Sequence, residues 1–319
     1  MNNNKDFCRK YHTEILKYDA NALARRILGK DIFGQHYDRP VLTAQEGNER
    51  LAECIRSGKP FMAGKFGGNE IRTISDVLFE RAGGRLGGLS DRTRYKITNQ
   101  AGFFPNERAK IEKLVDTYLE ACKDVDILAV WNMFLSARIC SDYLQHASLV
   151  YMTSIEPFYF DNPWSSELKG KKVLIIHPFT ETIEKQYEKR SLLFDNKEML
   201  PDFELKTVKA VQTIAGKKDE RFADWFEALD YMYEEAMKQD FDIALLGCGA
   251  YGFPLAARLK RAGRQAVHIG GGLQILFGIR GNRWDSNEPI AKLYNDNWVR
   301  PSDSEKVDNT QIVEGSCYW

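Results

Sequence analysis

Two periods organise the apolar positions of this chain. Short runs that are almost continuously apolar recur from Pro60 onward: PFMAGKFGG (60–68), DILAVWNMF (126–134), SLVYMTS (148–154), KVLIIHPF (172–179), DFELKTVKAV (202–211), DIALLGCG (242–249) and QAVHIGGG (265–272). Strands buried on both faces of a parallel sheet read this way. Between them apolar residues return every three or four positions. NEIRTISDVLFERAG, starting at Asn69, reads as an amphipathic helix, and the segment Asp219–Lys238 sets Phe222, Trp225, Phe226, Leu229, Met232, Tyr233 and Ala236 on one face. The alternation predicts right-handed βαβ units. The expected architecture is therefore α/β: a Rossmann-like, mostly parallel sheet with helices on both faces, over residues 56–285. Residues 1–55, helical in pattern with no glycine before Gly29, are expected to form an N-terminal helical extension, and 286–319 a C-terminal tail packed on the domain.

Composition narrows the function classes. The 319 residues carry 45 Lys and Arg against 45 Asp and Glu, so the broad electrostatic attraction of a nucleic-acid binder is not expected. The six cysteines (Cys8, Cys54, Cys122, Cys140, Cys248, Cys317) form no C-x-x-C pair and several lie in apolar segments, which suits a reducing compartment. The start, MNNNKDFCRKYH, has no apolar core of a leader, and the longest weakly polar run, AVHIGGGLQILFGI, is short and broken by His268 and glycines. The chain reads as cytoplasmic with no membrane span, though able to attend a membrane-bound substrate.

The stretch LLGCGAYG (245–252) places Gly247, Gly249 and Gly252 as G-x-G-x-x-G between a strand and a helix. That pattern binds a dinucleotide pyrophosphate when an Asp or Glu ends the next strand about 20 residues on, to hold the ribose. Here Val267, His268 and Ile269 stand there instead, and the unit comes late in the sheet rather than opening it. A NAD or S-adenosylmethionine enzyme is disfavoured. A turn that brings backbone N–H groups and a helix N-terminus to a phosphate fits the pattern, and so does a tight turn with no ligand.

A second glycine turn, KFGGNE (65–70), also follows a strand and opens a helix. It sets Lys65 and Glu70 around Gly67, Gly68 and Asn69. Strand ends in an open α/β sheet converge on one crevice. Lys65 can pair with phosphate, while Glu70 with the Asn69 amide oxygen can hold Mg²⁺ or Mn²⁺. A plain helix start, with Asn69 capping and Glu70 favouring the dipole, reads equally well.

His177 ends the strand VLIIH before Pro178 and reads as a general base for an acceptor hydroxyl, as a hydrogen bond to a sugar, or as a histidine satisfied by backbone. His268 has the same readings, with Gly270, Gly271 and Gly272 allowing close ligand approach. Trp131 and Tyr251 could stack on a base or sugar, or simply pack. Arg300 in NWVRP reads as a diphosphate clamp or an ordinary surface arginine, and the terminal SCYW needs the domain or another subunit to cover it. No H-x-x-x-H or Cys/His set points to zinc, and no G-x-S-x-G elbow to a serine hydrolase.

K-F-G-G-N-E-I, then L-S-D-R (89–92), then the late unit from DIALLGCGAYG to QAVHIGGG, resembles the GT-D fold glycosyltransferases over about residues 58–275. The resemblance implies a nucleotide-sugar-dependent transferase whose Asp-x-Glu pair serves metal and diphosphate binding. Glu70 matches the glutamate, but Gly68 stands at the aspartate, Lys65 at the arginine, and His268 at the aspartate of the last strand. Together with the residue readings above, it gives an expected donor site at Lys65, Gly67, Gly68, Asn69, Gly247, Gly249, Tyr251, Gly252, His268, Gly270 and Gly271, with Glu70 and His177 catalytic and a divalent ion on Glu70 and Asn69. The acceptor it implies is a cell-surface polysaccharide, a lipid-linked sugar or a protein-linked glycan. The missing aspartate also favours a second reading: a non-catalytic module that binds a nucleotide or glycan precursor in a biosynthetic complex.

Overall fold

The computed structural model describes residues 2–217, 219–313 and 315–319. Eight strands form one sheet: β1 (Val41–Leu42), β2 (Phe61–Lys65), β3 (Ile127–Val130), β4 (Ser148–Tyr151), β5 (Lys172–His177), β6 (Glu204–Lys209), β7 (Ile243–Leu246) and β8 (Gln265–His268). Their order across the sheet is β1-β4-β3-β2-β8-β7-β5-β6, and every pair is parallel.

Alternate residues of each strand feed two cores. Met62, Leu128, Leu174, Ile176, Ala244 and Leu246 face one side, whereas Ala63, Ile127, Val173, Ile175, Ile243 and Leu245 face the other. The first core is covered by α3 (Gly68–Arg81), α4 (Asp91–Asn99), α5 (Arg108–Ala121), α6 (Ser136–Tyr143), α9 (Trp225–Met237) and α10 (Gly252–Arg261). The second is covered by α2 (Ala44–Arg56), α7 (Thr180–Glu188), the short α8 (Arg190–Leu193) and α11 (Leu273–Leu276). The near-continuous apolar runs of the sequence thus become strands buried on both sides.

Three boundaries differ from the sequence reading. The expected extension over 1–55 is divided: α1 (Asn2–Leu28) lies outside the sheet, but β1 pairs with β4 (Val41↔Leu149), and Leu51 and Ile55 of α2 are in the core. A two-residue strand is too short to show a period, while the start of α2 is set by Thr43 and Glu46 in a capping box. The helix expected from Asp219 begins at Trp225, because the Asp224 carboxylate accepts from the N–H groups of Phe226 and Glu227. The edge strand β6 keeps only 204–209 of its run, with lysines on the open edge.

The C-terminal segment runs back over the domain. Val307, Val313, Cys317 and Trp319 pack with Phe179 and Ala215, and Val299 bridges to Ile279. Arg300 is tied into this segment: it donates to the Asn282 side chain and to the Trp319 carbonyl (2.9 and 2.8 Å) and pairs with Asp285, which fits neither the diphosphate clamp nor the ordinary surface arginine that its sequence context allowed. All six cysteines are free thiols, and no described helix is long and apolar enough to cross a membrane.

Candidate functional site

Two neighbouring strand pairs open crevices at their carboxyl ends. β2 leads into α3 on one face and β8 into α11 on the other; β7 leads into α10 and β5 into α7, again on opposite faces. Chain that leaves adjacent strands in opposite directions leaves room between them for a ligand. Lys65 and His268 end the first pair, His177 and Gly247 mark the second.

The glycine turn 247–252 makes room for protein, not for a dinucleotide. A β-carbon on Gly247 would come within 2.4 Å of Cδ2 of His177, and one on Gly252 within 2.1 Å of Nδ1 of His268. Each glycine is thus the seat of an imidazole, and the space it leaves is closed to a pyrophosphate. Gly249 serves the turn itself, with φ +57°. Tyr251 is also committed: its ring stacks on Trp225 at 4.8 Å and 8°, and its hydroxyl lies 3.1 Å from that of Thr213. Neither of its roles toward a sugar or base is open.

Both histidines are neutral. His177 Nδ1 accepts from the Phe179 N–H (3.0 Å), which leaves the proton on Nε2, and burial pushes its pKa down to about 3. Such a weak base is poorly matched to taking a proton at neutral pH, so the general-base role expected of His177 gives way to that of a fixed donor. Burial, helped by the charge of Lys65, pushes His268 to about 3 as well. Its Nδ1 has no hydrogen-bond partner among the described residues. His177, Gly247, Gly249, Tyr251, Gly271 and Tyr318 border a cavity of about 80 Å³, room for a few waters rather than a nucleotide.

The other turn is built differently. Gly67 caps α3 with extended backbone and no side-chain cap, leaving the first N–H groups of a 14-residue helix beside Gly68 and Asn69. Glu70 is buried and folds back so far that a β-carbon on Gly67 would fall 1.9 Å from its Oε2. The Asn69 amide reaches toward Gln100 Oε1 at 3.4 Å. These two residues make a thin donor set for Mg²⁺ or Mn²⁺: one carboxylate turned onto its own helix start, one amide, and glycine where a second carboxylate would stand. No group of three His, Cys, Asp or Glu converges among the described residues. The residues present do not fit a divalent ion.

Lys65 ties the crevice together. Its ammonium lies 5.2 Å from the centroid of the Trp131 ring, and its Cε would be 2.8 Å from a β-carbon on Gly270, which has φ +72°. Glu156 faces the same charge. Burial raises its pKa, while Lys65 and Arg283 hold it down, and its Oε1 sits 3.0 Å from where a Gly272 β-carbon would be. Tyr318 of the C-terminal segment packs on Gly271, closing the crevice from above (2.4 Å to a β-carbon there).

Beside Trp131 the carboxyl ends of β2 and β3 open into a cleft of about 720 Å³, within the size of small-molecule sites. Gly68, Asn69, Arg72, Arg92, Lys96 and Trp131 border it, with Tyr18 and Arg25 of α1 along its roof. Gln100 borders both this cleft and the 80 Å³ cavity. The expected site residues therefore divide: Gly68 and Asn69 stand in the large cleft, Lys65, His268 and Gly270 cluster beside Trp131, and His177, Gly247, Gly249, Tyr251 and Gly271 border the small cavity. Sequence reasoning did not find Glu156, Arg72 or Lys96. Glu156 follows β4 in an irregular turn with no motif, and the two cations look like the polar faces of α3 and α4, whereas Arg92 lies in the quoted segment L-S-D-R.

No family model and no curated protein matches the chain. Among solved structures, the selenomethionine-substituted domain of unknown function 1792 is similar at a TM-score of 0.45 and 12% identity, over 84% of this chain and 93% of that one.

Proposed function

We propose that this protein is a glycosyltransferase that moves a sugar from a nucleoside-diphosphate donor to a hydroxyl of a cell-surface polysaccharide, a lipid-linked sugar or a protein-linked glycan. One observation carries the reading: a nucleotide-sized cleft at the ends of β2 and β3 that combines Gly68 and Asn69 in the first turn of α3, the cations Arg72, Arg92 and Lys96, and the ring of Trp131. Helix N–H groups and cations suit a diphosphate, and an aromatic face suits a base or sugar. The acceptor class follows from the family resemblance alone.

In this reading the acceptor oxygen attacks the anomeric carbon as the bond from that carbon to the diphosphate oxygen breaks. The nucleoside diphosphate leaves with the electron pair, and its growing charge is met by Lys65 and by the cations of the cleft. The acceptor proton passes to a carboxylate. Glu156 suits that task better than Glu70: its pKa is raised by burial and it faces Lys65, whereas Glu70 is folded onto Gly67.

The test is a chromatographic assay of transfer and donor hydrolysis across UDP-, GDP- and CMP-sugars, with wild type, Lys65→Ala and Glu156→Gln. Turnover that falls at least tenfold in both variants supports the reading. Tight nucleotide binding with no turnover of any donor supports instead the non-catalytic precursor-binding module, which glycine at position 68 favours.

A further inference from the structure

α1 exposes a line of apolar side chains. Tyr11 and Ala24 turn inward and are buried, whereas Leu16, Leu23 and Ile27 on the opposite side are 72%, 58% and 70% exposed, with Leu28 and Ile32 exposed just beyond them. Spacings of seven and four residues place the first three on one line along the helix. A soluble helix normally turns such a line into the core.

The charges around this line are one-sided. Residues 5–30 carry seven Lys and Arg against three Asp and Glu. Two of the three acids are paired, Asp6 with Arg9, Lys10 and Arg138 and Glu14 with Lys17 and Gln35, while Asp19 borders the cleft that α1 roofs. Lys5, Arg26 and Lys30, exposed at the two ends of the line, enter no ion pair among the described residues.

We propose that α1 docks on an anionic lipid bilayer, lying in its interface with Leu16, Leu23 and Ile27 seated among the acyl chains and Lys5, Arg26 and Lys30 on the headgroups. An exposed apolar line flanked by basic side chains is the pattern of helices that lie on, rather than across, a membrane. Charge decides against a second copy of this chain as the occupant. Because both ends of the line are basic, an antiparallel pair of α1 helices would set Lys5 and Arg9 against Arg26 and Lys30, and a parallel pair would set each cation against itself. An anionic surface meets both ends at once, each basic residue near it adding about fivefold in affinity. This inference is independent of the proposed reaction.

The experiment is co-sedimentation of the full chain with vesicles of phosphatidylcholine alone or mixed with phosphatidylglycerol, at low and high salt. The expected result is binding to the mixed vesicles at least tenfold tighter than to phosphatidylcholine, weakened by salt. It should be lost in Leu16→Glu/Leu23→Glu and reduced in Arg26→Glu/Lys30→Glu, with circular dichroism unchanged because these side chains are exposed. Equal or absent binding to the two vesicle types, or binding that survives the leucine changes, overturns the proposal. So does a wild-type dimer by light scattering that Leu23→Glu converts to monomer, which would assign the face to a second copy.

Discussion

The imidazole of His268 lies directly over Gly252, with Nδ1 only 2.1 Å from where a β-carbon would stand. Two opposing effects act on Gly252→Ala. The backbone there is ordinary right-handed helix (φ −61°), so alanine should stabilise α10 by about 0.5–1 kcal/mol. The clash with a buried ring should cost about 1–3 kcal/mol or more, and it wins. Urea unfolding should show net loss for Gly252→Ala, and the loss should shrink when His268→Ala removes the ring. Additive losses in that double-mutant cycle would mean the glycine is needed for something else.

Acid should weaken the fold through the two buried histidines. Their folded pKa values, about 3, lie below the unfolded value near 6.5, so the unfolded chain binds more protons between those limits. Stability is then full above pH 6.5 and falls as the pH drops through this window, on the order of 2 kcal/mol per histidine by pH 5. Urea midpoints at pH 7.5, 6 and 5 measure it. His177→Gln should flatten the slope by one proton; an unchanged slope would place His177 in a solvated, titrating state.

Tyr11 fastens α1 to the domain. Its hydroxyl donates to the buried Asp76 carboxylate (2.6 Å) and accepts from the Gly88 N–H (3.1 Å), and its ring stacks on Phe79 at 4.0 Å. Asp76 also accepts from Thr93 (2.7 Å) and pairs with Arg72, which borders the cleft. Tyr11→Phe keeps the ring and should cost about 1–3 kcal/mol by leaving buried groups unpaired. Limited proteolysis should then cut within 29–43 faster than in wild type, and ligand affinity should fall because the roof of the cleft is loosened.

Much of the fold was legible because burial on both faces leaves nearly unbroken apolar runs, as in ILAV of β3 and IALL of β7. β1 escaped notice since two residues, Val41 and Leu42, cannot show a period. The glycine turns were visible by spacing, yet spacing is silent on what fills the room a glycine leaves. His177, His268 and Glu70 fill it here, and those contacts join residues 70, 16 and three positions apart. Lys65 was legible as the cation at a strand end, whereas Glu156, Arg72 and Lys96 become site residues only when the sheet sets β2, β3 and β4 side by side.

In the proposed transferase, the cleft beside Trp131 and Lys65 takes a nucleoside diphosphate. The most direct measurement is a thermal-shift titration of UDP, GDP and CMP, with NAD and S-adenosylmethionine as controls, with and without Mn²⁺, in wild type, Lys65→Ala and Trp131→Ala. The expected result is a rise in Tm with one nucleoside diphosphate that persists without metal and weakens about tenfold or more in both variants. No shift with any diphosphate, or an equal shift in wild type and both variants, would contradict it.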